Sequence, residues 1–467
     1  MKHYDVWLND QKLKVYPATV SAIPFNMVWA GKQRSIDQTE EAYFVTFDMS
    51  EVVKLEIEVV ENFDKYEIRP LSYDLKSQRT GNRIMLTVER PMQFSVEIDG
   101  SHHALHVFAN PVSQKPTGDV IYYGPGEHKA DLIWLESNQT LYLDEGAVVY
   151  GAIYAKDAEN ITIMGRGILD TSIYRRGEDT HEGGREIIDA LQQKNFTPYD
   201  IRHYSQLVFQ NCKNCFVEGI ILRDAPFWSV IVRNNSENIT MDNIKIIGQW
   251  RYNSDGIDIC TSKNVKIINS FVRAYDDCIV MRGAQLEGET ENVENATVDN
   301  CVLWCDWGKS LECWCGSKPT EIKNILFRNC YLTHLNATAM NITVWYGSNH
   351  SVINGVKYEN IAIDIDEDYL HNQLQSAVPT FTENWGYVPY TVKVSVEKLG
   401  KDVGSQQCEA LDDESGFYVY FGNISYKNVK YFGAKRDLAI LVKKYSDIHT
   451  IENITVEDCD FTIDNWN

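Results

Sequence analysis

Three aspartates are the residues of this chain whose type and spacing best suit chemistry. Asp255 lies in NSDGIDI, and Asp276 and Asp277 are adjacent in YDDCIVM a short distance further on. Crowded carboxylates repel one another, so one of them is expected to keep its proton at neutral pH, as a general acid requires. The alternative for any single aspartate here is a turn-capping role, and Asp258 is interpreted in that way. Three that converge indicate acid–base catalysis.

These aspartates lie in a loose repeat that begins near residue 118. Each unit has an Asn before a short β-branched run and an Asn or Gly before the next, as in ENITMDNIKI and KNVKIINSFV. One Asn recurs about every 24 to 31 residues, at Asn214, Asn238, Asn264, Asn295, Asn324 and Asn354. A parallel β-helix explains this period, because Asn and Gly suit corners with positive φ. Strands of adjacent coils lie about 4.8 Å apart, which predicts that the aspartates meet.

We predict an all-β chain with two domains. Residues 1–115 contain alternating runs such as KLEIEVVE and RIMLTVER between turn residues, which indicate a small β-sandwich-like domain with a structural or sugar-contacting role. Residues 116–467 contain the repeat and are predicted to form the β-helix that carries the site. Two segments interrupt the repeat, about 172–206 and 367–416, and we expect them to form walls of a substrate cleft.

The overall charge narrows the classes of partner. Lys and Arg number 44 against 66 Asp and Glu, a formal net charge of -22. This field disfavours nucleic acid and anionic membrane surfaces, and no apolar run reaches the roughly eighteen residues that would span a bilayer. The polar start MKHYDVWLND lacks a secretory signal, so a cytoplasmic location is expected. The oligomeric state is left open.

The repeat also creates two misleading signals. Asn-Ile-Thr triplets fit the glycosylation pattern at Asn160, Asn238, Asn341 and Asn453, and they are interpreted as corner Asn residues that precede strands. Cys212 and Cys215 have a CxxC spacing, but a core cysteine ladder is expected rather than a zinc or redox site. Its members each follow an Asn or Asp at similar places in their coils, and they are Cys212, Cys301, Cys330 and Cys459. No metal and no cofactor are predicted.

The aspartate motifs resemble those of a glycoside hydrolase clan. NSDGIDI and YDDCIVM are similar to the Asn-Thr-Asp-Gly and Asp-Asp-Cys motifs of the clan that contains family 28, the polygalacturonases, and family 49, the dextranases and isopullulanases. The resemblance covers roughly residues 118–360. It implies a pectin-lyase-like right-handed parallel β-helix and an inverting glycoside hydrolase. By this resemblance Asp276 is the general acid, while Asp255 and Asp277 hold and deprotonate the attacking water.

Departures from the clan's patterns bear on the substrate. Lys309 replaces the His of the polygalacturonase Gly-His-Gly motif, and Glu312 in VLWCDWGKSLE resembles the dextranase-like branch. Asn341 and Thr343 replace the Arg and Lys of Arg-Ile-Lys-Thr-Trp, which clamp a uronate carboxylate in polygalacturonases. We therefore expect a neutral, α-linked oligo- or polysaccharide and exo-action on short chains. Lys309 and Arg282 are cations near the predicted site, and they leave an acidic or phosphorylated substrate as an alternative.

Further residues are predicted to contact the sugar. Asn253 belongs to the first aspartate motif, and aromatic rings form platforms for the apolar faces of sugars. The aromatic candidates are Trp314, Trp345, Tyr346 and Trp385.

Three alternatives to a neutral glycan hydrolase stay open. The first is a polygalacturonase-type hydrolase of uronate-containing glycans. The second is a polysaccharide lyase, in which Arg282 would act as the base beside a calcium site. The third is a non-catalytic sugar-binding solenoid, in which the aspartates only shape corners.

Overall fold

The computed structural model describes residues 3–22, 36–174, 185–196, 205–251, 253–284, 289, 291–315, 319–335, 337–344, 350–365, 390–396, 418–434, 438–444 and 446–463. As far as Pro111, these residues form ten strands and two 3₁₀ helices, Ile36–Gln38 and Leu71–Tyr73. The strands are β1 (Tyr4–Leu8), β2 (Gln11–Lys12), β3 (Tyr16–Ser21), β4 (Thr39–Met49), β5 (Val53–Val59), β6 (Tyr66–Arg69), β7 (Ser77–Thr80), β8 (Arg83–Val88), β9 (Met92–Ile98) and β10 (Leu105–Pro111).

The first ten strands form two five-stranded sheets, in the orders β2-β1-β5-β8-β7 and β3-β4-β10-β9-β6. Apolar and polar residues alternate along these strands, so that each sheet has one apolar face. In β8, for example, Ile84, Leu86 and Val88 are buried while the residues between them are exposed. The inward side chains of the two sheets share one apolar cluster, which confirms the predicted sandwich-like fold. The predicted boundary at residue 115 stays a prediction.

From Ile121 onward the described residues form a 28-stranded sheet whose strands pair in parallel. Its strands are β11 (Ile121–Tyr123), β12 (Gly126–Leu135), β13 (Thr140–Leu143), β14 (Ala147–Lys156), β15 (Thr162–Gly165), β16 (Ile168–Asp170), β17 (Leu207–Gln210), β18 (Lys213–Glu218), β19 (Ile221–Arg223), β20 (Val230–Arg233), β21 (Glu237–Asp242), β22 (Lys245–Ile247), β23 (Ile257–Cys260), β24 (Lys263–Ile268), β25 (Phe271–Ala274), β26 (Ile279–Arg282), β27 (Val293–Glu294), β28 (Thr297–Asp299), β29 (Val302–Cys305), β30 (Lys309–Cys315), β31 (Glu321–Arg328), β32 (Tyr331–His334), β33 (Thr338–Val344), β34 (Ser351–Ile365), β35 (Tyr390–Val396), β36 (Val419–Gly433), β37 (Ala439–Lys444) and β38 (Thr450–Glu457).

Each strand pairs with its equivalent one coil later, so the sheet winds into a right-handed parallel β-helix with three faces, as predicted. Face A contains β17, β20, β23, β26, β30, β33, β35 and β37. Face B contains β15, β18, β21, β24, β28, β31, β34, β36 and β38. Face C contains β16, β19, β22, β25, β29 and β32.

Asparagine corners hold successive coils in register. The recurring asparagines have φ between 54° and 58°, at Asn214, Asn238, Asn264, Asn295 and Asn324. Their side-chain amides bond from coil to coil; Asn238 Nδ2, for example, donates to Asn214 Oδ1 at 3.0 Å. The predicted corner at Asn354 differs by one residue, because Gly355 has the positive φ of 74°.

The interior of the β-helix is a continuous apolar core. Three members of the predicted cysteine ladder, Cys212, Cys301 and Cys330, are buried in it, as is Cys215, and Cys459 packs against it at partial exposure. This placement supports the interpretation of the CxxC spacing as core packing.

Helix α1 (Arg185–Gln193) lies within the first predicted interruption, and it packs Ile187 and Leu191 on face A. Among the described residues, no helix is long and apolar enough to cross a membrane. The second predicted interruption, 367–416, was drawn too wide, because its residues 390–396 form β35, a paired strand of face A. Alternation in TVKVSV, one coil beyond β33, is the signal for this strand. The rest of that interruption lies outside the described residues.

Candidate active site

Face A brings the three predicted aspartates together. Strands β23 and β26 are paired neighbours, and Asp255 and Asp277 each lie two residues before one of them. Gly256 N donates to Asp277 O at 2.8 Å, so the two corners are fixed side by side. Asp255, Asp276 and Asp277 are only 2%, 6% and 5% exposed. The three carboxyl groups therefore form one buried acidic cluster, which we call the aspartate cluster.

Arg282 ties this cluster to a fourth carboxylate. Its Nε donates to Asp258 Oδ1 at 2.8 Å, and its Nη2 donates to Asp255 Oδ2 at 3.1 Å and lies 4.0 Å from Asp277 Oδ2. The guanidinium carbon lies 4.4 Å from the ring centre of Trp228 and 4.9 Å from that of Trp314. Arg282 is therefore clamped between two indoles with its charge directed at protein carboxylates.

Asp258 is a site residue that the sequence interpretation missed. It lies inside β23 rather than at a turn, and its side chain is fully buried against Arg282. Alternation was the available signal: Ile257 and Ile259 point into the core, so the residue between them must point outward on face A.

Lys309 holds Asp277 in its ionised form. The Lys309 backbone N donates to Asp277 Oδ1 at 2.8 Å, and its Nζ lies 3.1 Å from the same oxygen. The Nζ also lies 3.7 Å from Glu312 Oε1. Lys309 thus places a cation between two carboxyl groups.

Glu312 continues the cluster along face A towards Asn341. The pairing aligns Val280 with Glu312 and Glu312 with Asn341, and Asn341 Nδ2 donates to Glu312 Oε1 at 2.6 Å. Thr343 Oγ1 donates in turn to Asn341 Oδ1 at 3.1 Å. Asn341 therefore lies within β33, and its interpretation as a corner residue was wrong. At this position the Asn-Ile-Thr triplet is part of a strand, and its two polar residues, Asn341 and Thr343, both point to the outer side of face A.

The surroundings separate the proton affinities of the adjacent aspartates. Burial, and next the charge of Asp277, raise the pKa of Asp276 to about 8. Burial also acts to raise the pKa of Asp277, but Lys309, a hydrogen bond from Glu312 and Arg282 outweigh it and lower that pKa below its usual range. Near neutral pH the pair therefore holds one proton, on Asp276, and one negative charge, on Asp277.

Two further carboxyl groups of the site have raised proton affinity. Burial and the neighbouring charges of Asp258, Asp276 and Asp277 raise the pKa of Asp255 well above its usual range, with Arg282 acting against them. Burial and Asp277 raise the pKa of Glu312 to about 8. Asp255 Oδ1 is buried and has no hydrogen-bond partner among the described residues. A buried carboxyl oxygen in this state is a polar group that a bound water molecule would satisfy.

Gly308 allows the loop before β30 to approach the aspartates closely. A Cβ atom on Gly308 would lie 2.5 Å from Asp277 Oδ1 and 2.6 Å from Asp276 Oδ1. No side chain fits in that space, so residue 308 must be glycine if the backbone N of Lys309 is to reach Asp277. The need for glycine here is visible in the structure and not in the motifs alone.

The remaining predicted residues have different placements. Asn253 is half-buried at a corner with a φ of 56°, two residues before Asp255. Trp314 is only 4% exposed and lies against Arg282, which limits the ring area that a sugar can reach; its stacking role stays a prediction. Trp345, Tyr346 and Trp385 lie outside the described residues. Within the described parts of the chain, no three His, Cys, Asp or Glu side chains are grouped as metal ligands.

Comparison with known proteins identifies the family of the chain. Residues 133–403 match the family model for Glycosyl hydrolases family 28. A dextranase from Arthrobacter sp. (strain CB-8) is 25% identical over 224 residues, which are 46% of this chain and 32% of that protein. The exopolygalacturonase clone GBGE184 from Arabidopsis thaliana is 28% identical over 175 residues, 35% of this chain and 39% of that protein. The matched residues thus span about a third to two fifths of the length of these curated relatives.

A solved structure shares the fold. Dex49A from Penicillium minioluteum superposes with a TM-score of 0.54 at 14% sequence identity, covering 90% of this chain and 88% of that chain. At this identity the likeness shows the fold alone.

Proposed function

The chain belongs to glycosyl hydrolases family 28, and from this membership we propose that it is an inverting, exo-acting hydrolase of a neutral, α-linked oligo- or polysaccharide. The observation that carries the proposal is the pair Asp276 and Asp277. These adjacent, buried carboxyl groups are held in opposite protonation states by their different contacts. Hydrolysis of a glycosidic bond needs one carboxylic acid and one carboxylate at the same time.

Each aspartate has a role that follows from its contacts. Asp276, with its raised pKa, donates its proton to the glycosidic oxygen as the bond to the leaving sugar breaks. Asp277, held ionised beside Lys309, accepts a proton from the water that attacks the anomeric carbon. Asp255 holds that water through its buried Oδ1, while Arg282 fixes its Oδ2. The attack inverts the anomeric configuration.

The charge of the site supports a neutral sugar. Five acidic side chains, Asp255, Asp258, Asp276, Asp277 and Glu312, share the two cations Arg282 and Lys309. Both of these cations are already paired with protein carboxyl groups, and Asn341 and Thr343 lie where polygalacturonase motifs supply paired cations, so a uronate carboxylate at the cleaved bond would gain little charge-assisted binding. The hydroxyls of a neutral sugar instead match the amide of Asn341 and the carboxyl group of Glu312.

The covering of face A supports exo-action. On the coils before the aspartate cluster, the outward side chains Tyr154, Val208 and Ile231 are buried beneath Ile187 and Leu191 of α1. A glycan therefore has no path across that part of face A. We therefore expect a chain end, approaching from the side of the later coils, to be the part of the substrate that reaches the aspartates.

The test is a panel of oligosaccharides with the product followed by NMR. Isomalto-, malto-, galacto- and rhamno-oligosaccharides are compared with oligogalacturonides. The dextranase relatives make the isomalto series the first choice. We expect one neutral series to be hydrolysed with inversion of the anomeric proton signal and release of a single short product from the earliest times. Retention, or a ladder of internal fragments, would contradict the inverting or the exo-acting part of the proposal.

A uronate-specific hydrolase is the second candidate, favoured by the exopolygalacturonase relatives. Preference for oligogalacturonides in the same panel would establish it and overturn the interpretation of Asn341 and Thr343. Products with ultraviolet absorbance would indicate lyase chemistry instead. Tight binding without turnover on the whole panel would indicate a sugar-binding protein.

A further inference from the structure

Face C carries a buried polar stack that begins on the strand just before Asp276 and Asp277. Arg273 on β25, Trp304 on β29 and His334 on β32 are outward residues of successive coils. The Arg273 guanidinium carbon lies 4.0 Å from the ring centre of Trp304, and the rings of Trp304 and His334 are 3.9 Å apart. Arg273 and Trp304 are 0% exposed. A fully buried arginine requires partners on more than one side.

The N-terminal domain supplies those partners from β9 and β10. Arg273 Nη1 donates to His106 Nε2 at 3.2 Å, and His106 Nδ1 shares a hydrogen bond of 2.7 Å with Ser95 Oγ. Burial, and next Arg273, hold the pKa of His106 well below its usual value, so the neutral ring accepts at Nε2. Glu97 Oε1 contacts His334 Nε2 at 2.7 Å.

Asp306 connects this stack to the loop whose last residue, Lys309, donates a hydrogen bond to Asp277. Asp306 accepts from Trp304 Nε1 at 2.7 Å and from Arg273 Nε at 3.4 Å, and its backbone N donates to Ala274 O at 2.9 Å. Asp306 begins the short loop that ends at Lys309, whose N donates to Asp277. Arg273 itself lies three residues before Asp276. The buried pair of Arg273 and Asp306 thus joins the corner that carries Asp276 and Asp277 to the loop that ends at Lys309.

We propose that the N-terminal domain is a positioning element of the active site, which acts through His106, Arg273 and Asp306 on the loop 306–309 and thereby on Asp277. The proposal rests on the function proposed above. Arg273 and Asp306 are positioning residues, because they contact the corner and the loop rather than the reacting atoms. Glu97 with His334 and Ser95 with His106 keep the stack in one arrangement.

The test compares two contacts of the interface between the N-terminal domain and the β-helix. His106→Asn removes the contact from the N-terminal domain to Arg273, and Asp306→Asn weakens the next contact, from Arg273 to the loop. Asp48→Asn is the matched control, because Asp48 Oδ1 accepts from Arg166 Nε at 2.6 Å at a different place in the same interface. Hydrogen exchange followed by mass spectrometry reports the loop without any substrate, and kcat, KM and the pH profile report the reaction.

We expect both stack variants to exchange the amides of 306–309 at least about tenfold faster than the parent protein, while Asp48→Asn does not. In both, kcat should fall about tenfold with KM within about twofold, and the acid side of the kcat profile should move to higher pH as Asp277 loses the amide of Lys309. Unchanged exchange at 306–309 in properly folded stack variants would overturn the proposal, as would equal effects in Asp48→Asn. If the parent protein hydrolyses no glycan, the exchange result still decides this proposal, while the proposed function fails separately.

Discussion

At the scale of single residues, the site depends on how two neighbouring aspartates come to differ. Both are buried, and burial alone would raise the pKa of each. Lys309 contacts Asp277 through its backbone N and its Nζ, so the cation and the amide favour the charged form of that carboxyl group alone. Asp276 keeps its proton near neutral pH, because burial and the negative charge of Asp277 raise its pKa.

The pH dependence of kcat follows from these two shifts. A group with a raised pKa stays protonated to higher pH, so the acid form of Asp276 should be lost as the pH rises through about 8. A group with a lowered pKa stays ionised to lower pH, so the base form of Asp277 should persist below the usual range of an aspartate. We therefore expect a kcat profile with a broad plateau on the acid side and a fall above pH of about 8. A fall near pH 5 on the alkaline side would contradict the assignment.

Replacement of Lys309 tests the cause of the lowered pKa. Lys309→Met removes the cation but keeps the backbone N, so the pKa of Asp277 should rise and the acid limb of kcat should move up by about one to two pH units. Lys323→Met is the control, since Lys323 Nζ contacts Glu294 at 3.1 Å and Glu321 at 2.9 Å on face B. An acid limb that moves equally in both variants, or in neither, would show that Lys309 does not set it.

At the scale of elements, strands that follow the periodic pattern of the coils could be predicted, and elements that depart from this pattern could not. Asn spacing predicted the coils, because positive φ at a corner requires residues such as Asn or Gly. The interpretation of Asn341 as a corner failed because the same triplet serves in a strand, where a polar residue faces a neighbouring coil. β35 was missed because it is a short alternating strand inside a long irregular segment. The burial of part of face A by α1 depends on contacts between distant segments, which local patterns do not encode.

Gly308 gives the sharpest test of the loop between β29 and β30. Gly308→Ala places a methyl group about 2.5 Å from the Asp277 carboxylate, so the loop must move away. We expect overpacking of about 1–3 kcal/mol and a fall in kcat of about 10- to 100-fold, measured by thermal unfolding and steady-state kinetics. Gly124→Ala is the control, because its Cβ would meet only the end of the Tyr122 side chain, at 3.1 Å. Parent-level kcat in Gly308→Ala would show that the approach of this loop does not matter.

At the scale of the whole molecule, the two predicted domains share a buried contact. Phe44 and Phe108 of the N-terminal sheets pack with Phe271 and Val302 of face C in one apolar cluster. No chemistry was predicted for the N-terminal domain, because each of its strands has the ordinary alternating pattern of a β-sandwich. Its contacts to Arg273 and His334 join residues more than 160 positions apart, and such pairs are invisible to a single sequence.

The most direct test of the central claim is the leaving-group dependence of Asp276→Asn. For the oligosaccharide that the panel identifies, we predict a fall in kcat of about 100- to 10,000-fold, because no acid then protonates the departing oxygen. A glycosyl fluoride of the same sugar needs little such help and should keep a rate within about tenfold of the parent. Asp299→Asn is the control on face B, where Asp299 Oδ2 contacts Arg328 Nη2 at 2.7 Å, and it should leave both rates unchanged. Equal losses on both substrates, or hydrolysis of the oligosaccharide at the parent rate, would contradict the assignment of Asp276 as the general acid.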